Sequence, residues 1–221
     1  MCVLKNNGEI RYIAIEGVIG VGKTSLATLL SKKLKAKLIL EKYENNPFLE
    51  KFYEDPERYA FQTQLFFLLN RYQQQQELLQ YDLFNNYIVS DYIFEKDKIF
   101  AYLNLQDDEL KLYEKIVGFI ERNIATPDLV VYLQSSLERI IYNIQTRKRS
   151  IEANISEEYL RELNEAYNYF FFRYKNAPLL IVNSTEIDFV NNKKDFELLA
   201  EAILKPNHSQ IEYFNPSKSH V

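Results

Sequence analysis

The stretch Arg11–Thr24, RYIAIEGVIGVGKT, decides the fold expected for this chain. Its apolar run Tyr12–Ile15 is typical of a short buried strand, and Gly17–Thr24 fits the phosphate-binding pattern G-x-x-x-x-G-K-S/T without a misfit. Glycines let successive backbone N–H groups curl around phosphate oxygens, because no Cβ stands in the way. A chance glycine-rich turn is the alternative, but the strand before the loop and the helical pattern after it disfavour that interpretation.

The loop residues are expected to bind a nucleotide. Lys23 places a positive charge at the β- and γ-phosphates, and Thr24 offers its hydroxyl to Mg²⁺. A helix predicted over Lys23–Lys35 points its positive dipole end at the same anion. The expected nucleotide-binding residues are Gly17, Val18, Gly20, Val21, Gly22, Lys23, Thr24 and Ser25.

Composition narrows the class of protein. With 221 residues and 47% hydrophobic content, the chain is most simply one globular domain. Its net charge of −4 argues against a general nucleic-acid binder, which needs a broad basic face. The single cysteine, Cys2, excludes a disulfide framework and fits a reducing compartment. His208 and His220 both lie in a polar stretch, which disfavours histidine triads and histidine-rich zinc sites.

No membrane partner is expected. No segment approaches the roughly 18 apolar residues of a membrane span. The beginning of the chain, MCVLKNNGEIR, is too polar for the apolar region of a signal peptide. The expected location is the cytoplasm.

Short apolar runs alternate with longer helical patterns along the chain. This alternation is typical of an α/β protein with a parallel sheet covered by helices on both faces. The Gln73–Gln76 run in the long third helix is interpreted as a solvated helix face. Five strands are predicted, at Tyr12–Ile15, Lys37–Leu40, Tyr87–Ser90, Leu129–Leu133 and Leu179–Val182.

Two carboxylates follow neighbouring strands of the predicted sheet. Glu41 comes after the second strand and Asp91 after the third. Ligands of such sheets bind beyond the carboxyl ends of the strands. A single acid there would be a solvated charge, but two beside a phosphate loop suit phosphoryl transfer. One can accept a proton from an attacking hydroxyl, and the other can hold Mg²⁺ directly or through water.

A basic triplet, Arg147-Lys148-Arg149, has two interpretations. It can end a helix, where its charge suits the helix dipole. It can instead form a mobile lid whose arginines stabilise charge on the transferring phosphoryl group. The net-acidic composition and the phosphate loop favour the lid.

Several motifs together resemble the deoxynucleoside kinase family. They are IEGVIGVGKTS, FYEDPERYAFQTQ, Gln64 followed by Arg71, and RKRSIE, and the similarity spans about Arg11–Leu204. Members are P-loop enzymes that transfer the γ-phosphoryl group of a nucleoside triphosphate to the 5′-hydroxyl of a deoxynucleoside. The resemblance implies ATP as donor, Mg²⁺, nucleotide salvage, a homodimer, and a three-layer P-loop kinase fold with a five-stranded parallel sheet flanked by helices. It further implies one kinase domain over residues 1–204, with a lid at about 147–155, before a polar tail over 205–221.

The resemblance also implies roles for individual residues. Glu41 matches the carboxylate that accepts the 5′-hydroxyl proton, and Lys23, Arg147 and Arg149 match the cations around the phosphates. Asp188 lies near the loop that commonly contacts the donor base. The residues that match substrate contacts are Tyr53 and Glu152 for the sugar 3′-hydroxyl, Gln64 for the base edge, and Arg71 with its ionic partner Asp97.

Gln64 is expected to recognise the base through its side-chain amide. An amide donates and accepts at once, so it can pair with adenine as well as with a pyrimidine edge. The resemblance of Gln64, Arg71 and Asp97 to members that handle purine deoxynucleosides and deoxycytidine favours a purine deoxynucleoside, deoxyadenosine first. The alternative, that Gln64 and Arg71 are surface groups, is disfavoured by the aromatic residues around them.

One position departs from the family pattern. Many members carry an acid followed by arginine after the third strand, whereas this chain has Ser90-Asp91-Tyr92. Either the lid arginines supply the missing charge or the site geometry differs in this subgroup.

Three other functions are compatible with a phosphate-binding loop. A thymidylate-kinase-like nucleoside monophosphate kinase would need an extra basic site for the acceptor phosphate, and no spare arginine follows a strand. A P-loop nucleotide-binding switch would be expected to carry a guanine-reading N-K-x-D stretch, which the chain lacks. The intact Lys23, Thr24 and Glu41 disfavour a purely structural protein.

Overall fold

A computed structural model describes residues 11–81, 87–121, 124–152 and 154–216 of the chain. Cys2 and His220 lie outside these residues. The strands are β1 (Tyr12–Glu16), β2 (Lys37–Ile39), β3 (Ile88–Ser90), β4 (Leu129–Gln134), β5 (Leu179–Asn183) and β6 (Ile211–Phe214). The α-helices are α1 (Lys23–Leu34), α2 (Leu49–Glu54), α3 (Pro56–Tyr81), α4 (Lys96–Asn104), α5 (Asp107–Ile120), α6 (Leu137–Arg147), α7 (Glu157–Phe172) and α8 (Lys193–Leu204).

The strands form one parallel sheet in the order β2-β3-β1-β4-β5-β6. All five residues of β1 and all three of β3 are buried, so the centre of the sheet is covered on both faces. Such burial explains why these strands appear as unbroken apolar runs rather than as alternating patterns. The predicted α/β class, with a parallel sheet flanked by helices, is confirmed.

The predicted number of strands is wrong, because the described residues form six. β6 pairs in parallel with β5, from Leu179 opposite Ile211 to Val182 opposite Phe214. It lies in the stretch 205–221 that was expected to be a polar tail. As an edge strand its side chains are only half-buried or exposed, so its sequence lacks the apolar run that marks a central strand.

The glutamine run of α3 is also not the solvated face that the sequence suggested. The side chains of Gln74 and Gln75 are buried. Nε2 of Gln74 donates to the carbonyl oxygen of Leu40 at 2.9 Å, and Oε1 of Gln75 accepts from the backbone N–H of Ala125 at 3.2 Å. Glutamine can satisfy backbone groups of segments far away in the chain, which is why the run tolerates burial.

Two apolar clusters flank the candidate site. One fills the space around the sheet, and the other lies among α2, α3, α4 and α5. Within the described part of the chain, no helix has the length and apolar content needed to cross a bilayer.

Candidate active site

The phosphate-binding loop, residues 17–22, joins β1 to α1 and depends on its glycines. Gly20 and Gly22 have φ values of +90° and +105°, which side chains rarely allow. A Cβ on Gly20 would lie 2.8 Å from Cγ1 of Ile144 and 3.0 Å from the carbonyl oxygen of Ile140. A Cβ on Gly22 would lie 2.9 Å from Cζ of Phe189. The loop therefore keeps its backbone close to α6 and to the segment after β5, and only glycine fits there.

Lys23, the first residue of α1, is held within the loop. Its Nζ donates to the carbonyl oxygen of Val18 at 3.0 Å. Burial lowers the pKa of the Lys23 ammonium group to about 8, and repulsion from Lys96 lowers it further, against the attraction of nearby carboxylates. A phosphate group is the kind of partner that would favour the charged form.

Thr24 and the two strand-end carboxylates form one connected group. The Thr24 hydroxyl donates to Oδ2 of Asp91 at 2.6 Å, and the backbone N–H of Glu41 donates to Oδ1 of the same carboxylate at 2.8 Å. Burial raises the pKa of Asp91 above its usual range. The neighbouring positions of β2 and β3 in the sheet explain why residues 50 positions apart meet here.

This group fits a magnesium site, because a hydroxyl and a carboxylate are oxygen ligands of the type Mg²⁺ prefers. Across residues 11–81, 87–121, 124–152 and 154–216, no cluster of three or more His, Cys, Asp or Glu side chains could hold a metal. An ion held by Thr24 and Asp91 would thus take its other ligands from nucleotide phosphates and water, as Mg²⁺ commonly does.

Two buried cations hold the Glu41 carboxylate. Oε1 accepts from Nε and Nη2 of Arg71 at 2.8 and 2.5 Å, and Oε2 accepts from Nζ of Lys96 at 2.7 Å. Burial alone would raise the pKa of the Glu41 carboxyl, but Lys96 and Arg71 outweigh it and hold the pKa well below its usual range. Glu41 is therefore ionised at physiological pH, as a proton acceptor must be.

Arg71 also links Glu41 to the expected base-binding residues. Its Nη1 pairs with Oδ1 of Asp97, and the Tyr113 hydroxyl donates to Oδ2 of that carboxylate at 2.8 Å. Nε2 of Gln64 donates to the backbone carbonyl of Asp97 at 2.8 Å. The side chains of Gln64, Arg71 and Asp97 are all buried, which excludes the interpretation that Gln64 and Arg71 are surface groups.

The arginines of the expected lid pair with Glu152. Arg147, at the end of α6, donates from Nε and Nη2 to the two carboxylate oxygens at 2.6 and 2.5 Å. Nη1 of Arg149 lies 3.5 Å from Oε1 of Glu152, and its guanidinium group lies 5.1 Å from the centre of the Tyr43 ring. The structure thus connects two sets of predicted residues, the lid arginines and the expected sugar-binding carboxylate.

Most of these residues surround one cavity of about 110 Å³, but Asp97 and Tyr113 are not part of its wall. Ligand cavities commonly measure roughly 300–1,000 Å³, so a nucleoside requires some movement of the walls. Tyr53 is part of the wall, and its ring meets that of Tyr159 edge-on at 6.5 Å. Predicted site residues in the wall are Gly20, Lys23, Thr24, Glu41, Tyr53, Gln64, Arg71, Asp91, Arg147, Arg149 and Glu152.

A larger hollow of about 640 Å³ also borders Glu41. It is lined mainly by β2 and the residues after it, and it shares Thr24, Glu41, Tyr43, Asp91 and Arg149 with the smaller cavity. Gln64 and Arg71 are not part of its wall. The smaller cavity therefore matches the predicted chemistry, although the hollow beside it is larger.

Asp188 lies in the loop after β5 and is engaged locally. Its carboxylate accepts from the backbone and side-chain N–H groups of Asn191, and its own N–H donates to Asp195. The next residue, Phe189, is the one that contacts Gly22. This loop therefore lies beside the phosphate-binding loop, as a donor-base contact requires.

Three residues of the site were missed at the level of sequence. Glu16 ends β1 with no exposed surface, and its carboxylate accepts from the N–H groups of Gly17 and Ile93 at 2.9 and 3.0 Å. Burial raises the pKa of Glu16, although Lys96 and Lys23 oppose that shift. Lys96 and Tyr113 are the other two missed residues. The signal that could have led to Lys96 is the missing arginine at Tyr92, because its absence requires a positive charge from another residue.

The arrangement can do one kind of chemistry well. A glycine loop with a lysine lines the same cavity as an ionised carboxylate, Glu41, and Arg71 connects that carboxylate to a buried polar group. A phosphate donor and a hydroxyl acceptor can therefore meet beside Glu41. The fold and the site define a P-loop phosphotransferase.

Comparison with known proteins identifies the family. Residues 13–206 match the family model of deoxynucleoside kinase. The chain is 36% identical over 194 residues to a deoxyguanosine kinase of Bacillus subtilis, covering 86% of this chain and 94% of that protein. It is 34% identical over 225 residues to a deoxyadenosine kinase of Dictyostelium discoideum, covering 96% of this chain and 85% of that protein.

Solved structures agree with the sequence comparison. The structure of deoxyadenosine kinase from M. mycoides with bound dATP superposes with a TM-score of 0.76 at 27% identity, covering 88% of this chain and all of that chain. A second structure of that enzyme, with products dCMP and a flexible dCDP bound, has a TM-score of 0.77 at 29% identity and covers 87% of this chain and 98% of that chain. The chain belongs to the deoxynucleoside kinase family, and it is an ATP-dependent phosphotransferase.

Proposed function

We propose that this kinase phosphorylates the 5′-hydroxyl of a purine deoxynucleoside, with deoxyadenosine preferred and deoxycytidine as a further substrate. The observation that carries the proposal is the buried group of Gln64, Arg71 and Asp97, joined directly to Glu41 through Arg71. A base recognised by Gln64, Arg71 and Asp97 would bring its sugar towards Glu41.

The orientation of the Gln64 amide supports adenine over guanine. Only the nitrogen of an amide can donate to a carbonyl, so the bond to Asp97 fixes which end of Gln64 is Nε2. Oε1 then remains as an acceptor for an exocyclic amine, which adenine and cytosine carry. Guanine presents its O6 acceptor at the corresponding edge, where it would face the Oε1 acceptor of Gln64, and only the second hydrogen of Nε2 could pair with it.

In the proposed reaction, the 5′-oxygen attacks the γ-phosphorus of ATP and the bond to the leaving diphosphate oxygen breaks. The hydroxyl proton passes to Glu41. Tyr53 and Glu152 would bind the 3′-hydroxyl, while Lys23, Arg147 and Arg149 would stabilise charge on the phosphates. To do so, Arg147 and Arg149 would either break their ion pairs with Glu152 or contact Glu152 and the phosphates at the same time.

Magnesium would be held by Thr24 and Asp91, whose side chains are in contact. When bound, Mg²⁺ neutralises charge on the β- and γ-phosphates. The loop after β5, with Asp188, would contact the donor base. A cytoplasmic location and a role in nucleotide salvage belong to the same proposal.

A homodimer is also proposed. Leu112 and Phe119 lie seven residues apart on α5, and therefore on one face, and they are 49% and 83% exposed. Exposed apolar residues on one helix face suit a contact between subunits. Light scattering coupled to gel filtration should give twice the mass of the chain, and a Phe119→Glu variant should shift the mass towards the monomer.

The activity is tested with one panel of substrates. Purified protein is given MgATP and each of the four deoxynucleosides or their 5′-monophosphates, and ADP formation and the phosphorylated product are measured. The proposal expects the highest kcat/KM with deoxyadenosine. Turnover of monophosphates alone would identify a nucleoside monophosphate kinase, and ATP hydrolysis without an acceptor product would identify a nucleotide switch.

A further inference from the structure

Lys96 is a buried cation that the sequence did not single out. It is the first residue of α4, its side chain is 5% exposed, and its Nζ lies 2.7 Å from Oε2 of Glu41. The ammonium group also lies 5.7 Å from the centre of the Phe100 ring. A buried lysine is costly unless its charge is paired, so its position depends on Glu41.

The two oxygens of the Glu41 carboxylate are not equivalent. Each oxygen can accept about two hydrogen bonds. Oε1 already accepts two, both from Arg71, whereas Oε2 accepts one, from Lys96. The remaining acceptor capacity of Glu41 is therefore on the oxygen that Lys96 holds.

We propose that Lys96 is a positioning residue of the phosphoryl-transfer site, which orients Oε2 of Glu41 to receive the proton of the acceptor hydroxyl. The proposal rests on the proposed function. During the reaction the proton moves from the 5′-oxygen to Oε2, while the new bond to phosphorus forms and the bond to the leaving diphosphate breaks. Lys96 keeps its own proton throughout.

Lys96 also accounts for the departure from the family pattern at Tyr92. Tyr92 has no exposed surface, and burial raises the pKa of its phenol, so it is neutral and supplies no positive charge. The resemblance placed a cation after β3, at the position of Tyr92. That cation is instead provided four residues later by Lys96, at the start of α4. The lid arginines are paired with Glu152 and are not needed for this role.

The charged groups near Glu41 affect the ionisation of its carboxyl group. Three tyrosines, Tyr53, Tyr92 and Tyr167, interact with Glu41, but burial raises the pKa of each, so they stay neutral in the range of interest. The charged groups that face Glu41 or Lys96 are Glu16 from β1, Lys23 from α1, Arg71 from α3, Asp91 after β3, and Asp97 from α4. Arg71 is the only other donor to the Glu41 carboxylate among the described residues, so it alone would hold Glu41 if Lys96 were removed.

The kinetic test compares Lys96→Met and Lys96→Arg with wild type. We expect Lys96→Met to lower kcat by about 10- to 100-fold while KM for the deoxynucleoside changes less than about threefold. Lys96→Arg keeps the charge and should recover much of kcat. The control is Lys98→Met, since Lys98 is half-buried and pairs with Glu121.

A second measurement does not depend on activity. The position of the Glu41 carboxylate is determined by crystallography in wild type, Lys96→Arg and Lys96→Met. Oε2 of Glu41 should leave its wild-type position in Lys96→Met and keep it in Lys96→Arg.

The two measurements separate the two proposals. If wild type phosphorylates no deoxynucleoside, the proposed function fails and the crystal structures alone decide whether Lys96 positions Glu41. If wild type is active, an unchanged kcat in Lys96→Met, or equal loss in the Met and Arg variants with an unmoved Glu41 carboxylate, overturns the role of Lys96.

Discussion

Arg71 donates two hydrogen bonds to one oxygen of Glu41, from Nε at 2.8 Å and from Nη2 at 2.5 Å to Oε1. This fork joins α3 to the residue that follows β2, 30 positions away in the chain. It couples the expected base pocket to the expected proton acceptor, because the third guanidinium nitrogen, Nη1, pairs with Asp97. A substitution in the base pocket is therefore expected to affect the proton acceptor, and a substitution at the proton acceptor is expected to affect the base pocket.

Replacing Glu41 with Gln should lower kcat by about 10²- to 10⁴-fold, the usual contribution of a general base. Deoxynucleoside binding should stay largely intact, which calorimetric titration with deoxyadenosine can measure. Glu50→Gln, a change at an exposed residue of α2, is the control. Unchanged turnover in Glu41→Gln would eliminate Glu41 as the base.

Replacing Gln64 with Ala should raise KM for deoxyadenosine by about tenfold, the value of one hydrogen bond of about 1.4 kcal/mol. It should also reduce the difference in kcat/KM between deoxyadenosine and deoxyguanosine, because the fixed amide acceptor is lost. Gln73→Ala, on the exposed side of the same helix, serves as the control. Identical preference profiles for wild type and Gln64→Ala would rule out Gln64 as the base reader.

ATP binding should weaken above pH 8. Burial lowers the pKa of Lys23 to about 8, and the phosphates require its charged form. Below that pH Lys23 is already protonated; above it, binding must take up a proton, and Kd for MgATP should rise up to about tenfold per pH unit. Calorimetry at pH 8 in buffers of different ionisation enthalpy should detect this uptake. Lys32→Met should keep the profile and Lys23→Met should abolish it; a flat wild-type profile to pH 9.5 contradicts the prediction.

The Glu212 carboxylate is expected to stabilise the pairing of β6 with the sheet. Its carboxylate accepts from Lys205, His208 and the N–H of Ser209 at 2.6, 3.2 and 2.6 Å. Burial opposes ionisation, but these donors lower the pKa of Glu212 to about 2. Glu212→Gln should therefore lower the free energy of unfolding by about 1 kcal/mol at pH 7.

The pH dependence of that effect has a definite sign. Because the folded pKa lies below the unfolded value of about 4.3, the contribution of Glu212 is present above that pH and disappears as pH falls towards 2. Urea unfolding of wild type and Glu212→Gln at several pH values measures it, with Glu201→Gln as an exposed control on α8. A stability difference that persisted at pH 2 would show that the charge of Glu212 is not the cause.

The sequence predicted the edge strand β2 and the four strands inside the sheet, and it missed the other edge strand, β6. Local apolar runs suffice for β1, β4 and β5, because each is covered by helices whatever its neighbours. β6 is stabilised by backbone pairing with β5 and by the contacts of Glu212, and neither leaves an apolar run to recognise.

The glutamines of α3 show the same limit for side chains. From composition alone, the run Gln73–Gln76 looked like solvent-exposed surface. Gln74 and Gln75 are buried because they satisfy backbone groups of residues 34 and 50 positions away. A polar residue's burial depends on whether a distant partner is supplied, which local sequence does not show.

The sequence by itself determined the phosphate-binding loop, the parallel α/β sheet and the family, because these depend on residue types at fixed local spacing. Only the tertiary structure decided which cations hold Glu41 and which carboxylate holds the lid arginines. Lys96 stood in the charged run Glu95-Lys96-Asp97-Lys98, where only Asp97 was singled out, as the expected partner of Arg71, yet the structure buries Lys96 as well as Asp97 and leaves Lys98 half-buried. The packing of α3 and α4 beside the sheet brings Arg71 and Lys96 to Glu41, across 30 and 55 positions of chain. Long-range charge pairing of this kind has no period in the sequence, and so it is set by how the helices pack.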